Sequence, residues 1–137
     1  MNETLVEAIV TLKTEFMKRN EGGSHIQEIM PTLPESLSIN KHDLKMLHKF
    51  AESNSIYSNS YEIEILDTAC RVYQGDVNNY WLDSIKHDTS YAPFYPVWIL
   101  SAYTLALESK SLGAKQTIDI GSGDGRIAYC AKIAGLI

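Results

Sequence analysis

The chain has only two cysteines, Cys70 and Cys130, far apart and in no metal-ligand or redox spacing. That excludes a disulfide-stapled scaffold and a cysteine-ligated metal centre, and both thiols read as free and buried in helices. Positive charge is also short, with 12 Lys and Arg against 17 Asp and Glu and a formal net charge of −5. A standing nucleic-acid surface needs a basic face, so this balance argues against one without barring a nucleic-acid substrate. No apolar run approaches the ~20 residues of a membrane span, and the first residues lack the basic-then-apolar form of a signal peptide. A cytoplasmic protein with no membrane attachment and no disulfides is therefore expected. Repeats and low-complexity segments are missing too. The four histidines (His25, His42, His48, His87) have no partner spacing and read as surface or capping residues. No metal site and no nucleophile-plus-base arrangement is visible, so catalytic residues stay unassigned.

What is present is apolar content: 45% of 137 residues, enough for a real core in a chain of ordinary domain length. Leu5, Ile9, Leu12 and Phe16 fall at helical spacing and predict an amphipathic helix from about Glu3 to Arg19. Ser24 and Gln27 have the form of a capping box and predict a short helix that stops before Pro31. Asn40 reads as the cap of a helix over 41–53. A polar linker over 53–59 follows. A further helix is expected from Ser60 or Tyr61 to Gln74, stopped by Gly75, and Asp76 would cap another that carries Tyr80, Trp81, Leu82 and Ile85. After Thr89 the character changes: residues 91–98 hold four aromatics and two prolines. Pro96 suits the first turn of a helix running to Lys110, which Gly113 ends.

The stretch Thr117-Ile118-Asp119-Ile120-Gly121-Ser122-Gly123-Asp124-Gly125-Arg126 reads as strand, glycine turn and helix start. A strand is predicted at about Gln116 to Ile120, then a helix from Ile127 to Ile133. Glycines permit positive φ and leave no Cβ to hold a ligand off the backbone. The dinucleotide pattern GxGxxG fails, because its third glycine would fall at Arg126. What stands is Asp-x-Gly-x-Gly-x-Gly, with an acid at the end of the strand. A carboxylate there would repel a pyrophosphate and suits a ligand that carries an ammonium group.

This run resembles the first motif of class I S-adenosylmethionine-dependent methyltransferases. The resemblance covers about the last third of the chain and implies S-adenosylmethionine as the cofactor. Asp119 would then mark the methionine end near its ammonium group. Gly121 and Gly123 would admit the cofactor to the backbone, and Gly125 would let the helix pack tightly on the strand. Ser122 and Asp124 would line the turn and contact the cofactor there, and Arg126 would face solvent at the helix start. Some members of the family carry a Tyr/Pro-rich segment that reaches over the cofactor, which makes Tyr91 and Tyr95 candidates for contacts to adenine or to the methionine end.

The expected fold is therefore mostly α. A helical N-terminal region (1–88) would precede the first strand and helix of a truncated, Rossmann-like α/β methyltransferase domain (89–137). The second strand with its ribose-binding acid would lie beyond the chain end. The isolated chain is expected to bind the cofactor weakly, to transfer no methyl group and to self-associate through an exposed strand edge and the last helix (Ile127, Ala131, Ile133, Ala134). The methyl acceptor stays open between protein, RNA and small molecule. Two other readings compete: a non-enzymatic helical interaction module that uses the Leu5/Ile9/Leu12/Phe16 stripe, and an NAD-binding Rossmann protein.

Overall fold

A computed structural model describes residues 4–19, 25–76, 97–118 and 124–136. The chain divides into two compact units, Met1–Lys86 and His87–Ile137. In the first, the elements follow as α1 (Leu5–Arg19), β1 (His25–Pro31), α2 (Lys41–Ser53), β2 (Tyr57–Ile65) and β3 (Thr68–Asp76). The second contains α3 (Ile99–Ser111) and α4 (Arg126–Ala134).

Both helices of the first unit begin where local hydrogen bonding dictates. Thr4 caps α1 by accepting the Glu7 N–H at 3.1 Å. Asn40 Oδ1 caps α2 by accepting from the His42 and Asp43 amides at 2.8 and 3.3 Å. These side chains satisfy amides that a first helical turn leaves without partners.

The all-helical reading of residues 1–88 is overturned by a three-stranded antiparallel sheet in the order β1-β3-β2. Since β1 and β2 both oppose β3, they run parallel to each other. The α2 connection is thus a split β-α-β crossover with β3 inserted between its strands. The helix expected from Ser24 is β1. The helix expected from Ser60 or Tyr61 to Gln74 is the β2–β3 hairpin. Asp76, read as a helix cap, is the last residue of β3, and the helix expected after it lies outside the described residues.

The hairpin turns on Leu66 and Asp67, with φ of 49° and 63°. Positive φ at both central positions is the mark of a type I′ turn, whose twist matches that of the flanking strands. Neither residue is the glycine or asparagine that normally marks such a turn. With that marker missing, the doublets Ile65-Leu66, Ala69-Cys70 and Val72-Tyr73 imitate helical spacing.

Strand β3 is central and its side chains serve both faces. Cys70 and Val72 are buried with Ile29, Ile65 and, from α1, Ala8 and Ile9. Adjacent strand residues point to opposite faces, so Tyr73 projects to the other side, where it meets α2. There His48 Nε2 lies 2.8 Å from the Pro31 carbonyl, and Nδ1 lies 2.6 Å from the Tyr73 hydroxyl. A carbonyl only accepts, so Nε2 is the donor to Pro31, and Nδ1 and the Tyr73 hydroxyl share the second hydrogen bond. His48 is therefore a half-buried bridge between helix and sheet, not a surface residue. Burial pushes the Tyr73 phenol up, with the charge of Glu52 adding to the effect and that of Arg71 opposing it.

Two tight contacts fix this unit further. Lys13 Nζ of α1 reaches Glu28 Oε1 of β1 at 2.5 Å, and both side chains are almost fully buried. Interior charges are tolerated only when paired, and such a pair is exacting in geometry. Gly75 does not end a helix. It lies in β3, where an added Cβ would overlap the Ile56 carbonyl oxygen and sit 2.6 Å from the carbonyl carbon. The register shift between Tyr57 and Asn59 leaves Ser58 as the extra residue of a bulge beside it.

In the second unit, Ala106 of α3 is buried with Ala131, Ala134 and Leu136 from α4 and the residues after it. The two helices end alike. Gly113 donates to Lys110 and Ala114 to Ser109, while Gly135 donates to Lys132 and Leu136 to Ala131. These are Schellman closures with glycine at the left-handed position, at φ of 101° and 98°. Ala131 and Ala134, expected to be sticky, are thereby covered within this unit. The Rossmann-like start is not what forms: the sheet is antiparallel and belongs to the first unit. Residues 116–118 carry no strand pairing, and Ile118 is 88% exposed. Residues 119 and 120 of the expected strand lie outside the described residues.

The Leu66-Asp67 turn yields a stability prediction. Left-handed backbone costs an ordinary L-residue ~1–2 kcal/mol, and Leu66 is largely exposed, so little packing would be lost on replacing it. The double variant Leu66→Asn, Asp67→Gly is expected to raise unfolding stability by about 1 kcal/mol. Urea denaturation followed by circular dichroism reads this; an unchanged or lower midpoint would contradict the I′ assignment.

Candidate functional site

Of the residues singled out in the sequence, Asp119, Gly121, Ser122, Gly123, Tyr91 and Tyr95 lie outside the described residues. The far end of the motif is described: Asp124, Gly125 and Arg126, leading into α4. Gly125 adopts φ 83° at the helix N-cap, with no side-chain cap. Among the described residues nothing lies within 4 Å of a Cβ added there. The left-handed conformation is a sufficient reason for glycine at 125, and the strand end it was expected to pack on lies outside the described residues.

Asp124 turns back on the helix it precedes. Its Oδ1 accepts the Arg126 amide at 3.2 Å, closing an Asx turn. Both carboxylate oxygens also hold the Arg126 guanidinium: Nε is 3.1 Å from each, and Nη2 is 2.6 Å from Oδ2. The remaining arm, Nη1, donates to the Val97 carbonyl at 2.6 Å. Arg126 is only 3% exposed, which corrects its reading as a solvent-facing residue. The planar fork of arginine is what allows one side chain to satisfy a carboxylate and a carbonyl together. Sequence reasoning missed this because an Asp and an Arg two positions apart do not face each other on a regular helix. The left-handed Gly125 between them makes the meeting possible.

One turn further along α4, the Cys130 thiol donates to the Ile99 carbonyl at 3.7 Å. Cys130 and Cys70 are both buried and form no disulfide, and burial pushes the Cys70 thiol up. A protonated interior thiol is a poor nucleophile. Burial likewise raises the Tyr129 phenol, with a smaller contribution from Cys130.

In the first unit, a cleft of about 280 Å³ is lined by Phe16, His25, Ser58, Asn59, Gln74, Gly75 and Asp76. His25 Nδ1 stands 4.0 Å from Asp76 Oδ2, and the histidine side chain is 60% exposed. Solvent screens such a pair heavily, so the cleft offers weaker recognition than the buried fork at Arg126. Among the described residues no group of three or more His, Cys, Asp or Glu side chains is placed to hold a metal ion. Within the same residues no helix is long and apolar enough to cross a membrane.

Comparisons with protein-family models, with curated proteins and with solved structures find no match to this chain. The functional reading therefore rests on the residues themselves.

The demand for positive φ at residue 125 can be measured directly. Gly125→Ala is expected to lower the stability of the second unit by about 1 kcal/mol, the left-handed penalty less the gain from a stiffer unfolded chain. Thermal melts of the variant, with amide exchange in α4 as a local readout, check it. A variant as stable as the parent would mean that the left-handed cap is not needed.

Proposed function

We propose that the protein is an S-adenosylmethionine-dependent methyltransferase and that residues 119–125 form part of its cofactor site. The observation that carries the reading is the run Asp-x-Gly-x-Gly-x-Gly over 119–125, which leads into α4 through the left-handed Gly125. Asp119 supplies the anion for the ammonium group of the cofactor's methionine end. Gly121 and Gly123 keep Cβ atoms out of its path, and Ser122 contributes a hydroxyl at the same turn. Tyr91 and Tyr95 are the aromatic candidates for its adenine. Asp124 holds Arg126 and shapes the turn beside the cofactor.

When bound, the cofactor supplies an electrophilic methyl group. The chain's own part is to orient it and to exclude water, and positioning of this kind is a large share of what a transfer reaction needs. The methyl acceptor is a protein, an RNA or a small molecule, and the cytoplasm is the proposed compartment, in keeping with two cysteines that form no disulfide.

A thermal-shift comparison of the full-length protein with S-adenosylhomocysteine and with NAD tests the reading. Stabilisation by S-adenosylhomocysteine alone is expected. Stabilisation by NAD alone would replace it with a dinucleotide-binding function, and a shift with neither would leave a non-enzymatic interaction module as the better description.

A further inference from the structure

Taking residues 119–125 as a cofactor site, we infer that Arg126 is a positioning residue that couples the glycine turn to the first turn of α3. Its N–H groups are divided between two elements. Nε and Nη2 hold the Asp124 carboxylate at the end of the glycine run, and Nη1 holds the Val97 carbonyl just ahead of α3. Cys130, one helical turn on, makes a second link to the Ile99 carbonyl. Two successive turns of α4 therefore hold two carbonyls at the start of α3. Both charged side chains of the fork are at most 5% exposed, so water does not screen the link as it would at a surface. A displacement of the turn backbone on ligand binding has a short, stiff route to α3 through this guanidinium. Lysine cannot substitute. Its ammonium is a single point charge on a flexible stem and has no planar fork to span both partners.

The coupling has an electrostatic corollary. The guanidinium compensates the Asp124 carboxylate, and the ammonium group of the ligand is then left to Asp119. Asp124→Asn should accordingly weaken ligand binding through the loosened fork, while Asp119→Asn removes the charge that the ligand meets.

Backbone amide exchange of the full chain and of its Arg126→Lys and Asp124→Asn variants tests this, with and without millimolar S-adenosylhomocysteine. Amides of Ile29 and Val72 in the first unit serve as internal references. In the parent chain the ligand should slow exchange by at least ~5-fold both at residues 126–130 and at residues 99–103. In Arg126→Lys the response at 99–103 should vanish and the ligand's Kd should rise about 10-fold, with Asp124→Asn moving in the same direction. A response at 99–103 that survives in both variants would overturn the coupling and leave the cofactor reading intact. If the parent chain responds nowhere, the cofactor reading falls, and the coupling is decided without ligand. Faster exchange at both segments in the variants would then support it, and a change confined to 126–130 would overturn it. Should Arg126→Lys unfold the second unit, the milder Asp124→Asn decides by the same comparisons.

Discussion

Strand β3 must serve two hydrogen-bonding partners and two packing faces at once. It pairs with β1 on one side and β2 on the other, so its backbone groups are satisfied within the sheet along both edges. Its buried side chains fall on both faces. Cys70 and Val72 join the layer under α1, and Tyr73 turns the other way to meet His48. A one-residue slip of this strand would place Tyr73 where the small Cys70 and Val72 now pack. The details of the first unit follow from avoiding that slip. The Lys13–Glu28 pair sets α1 against β1, His48 sets α2 against the sheet, and Gly75 lets the Ile56 backbone approach closely enough to close the far end.

The second unit solves a smaller problem by similar means. Ala106, Ala131, Ala134 and Leu136 form its small apolar cluster, and Ile99 and Tyr103 of α3 are buried as well. Polar links make the packing specific. The buried fork of Arg126 and the thiol of Cys130 both act on carbonyls at the start of α3. The glycines at 113 and 135 close both helices cleanly.

Much of this was legible in the sequence, and the divide between what was and was not has a physical basis. Helices α1 and α2 announce themselves through periodic apolar residues and, for α2, the Asn40 cap, because these signals are local. The strands were hidden. Ser24 and Gln27 imitate a capping box, and Ile26, Ile29 and Met30 sit at helical spacing although Ile29 and Met30 are buried in a strand. Residues 57–65 do carry the alternation Tyr61, Ile63, Ile65 against Glu62 and Glu64, which could have identified β2. What defeated the reading was the turn, since Leu66 and Asp67 give no warning of a left-handed backbone. Within the motif, the need for glycine at 125 was legible, and its left-handed backbone supplies a reason for it. The burial of Arg126 was invisible, because it depends on a carbonyl 29 residues away in the chain.

The two-residue connection at Leu66-Asp67 also imposes a sequence of events in time. A hairpin whose strands are neighbours in the chain loses little entropy on closing and zips within microseconds. Strand β1 cannot add until its partner edge on β3 exists, and it must find that edge across the whole of α2 and β2. Within this sheet the β2–β3 pairing is the most local in the chain and the β1–β3 pairing the most distant. A turn built from two residues that resist the left-handed conformation stands at the head of the local pairing, so it slows closure as well as costing stability in the finished fold.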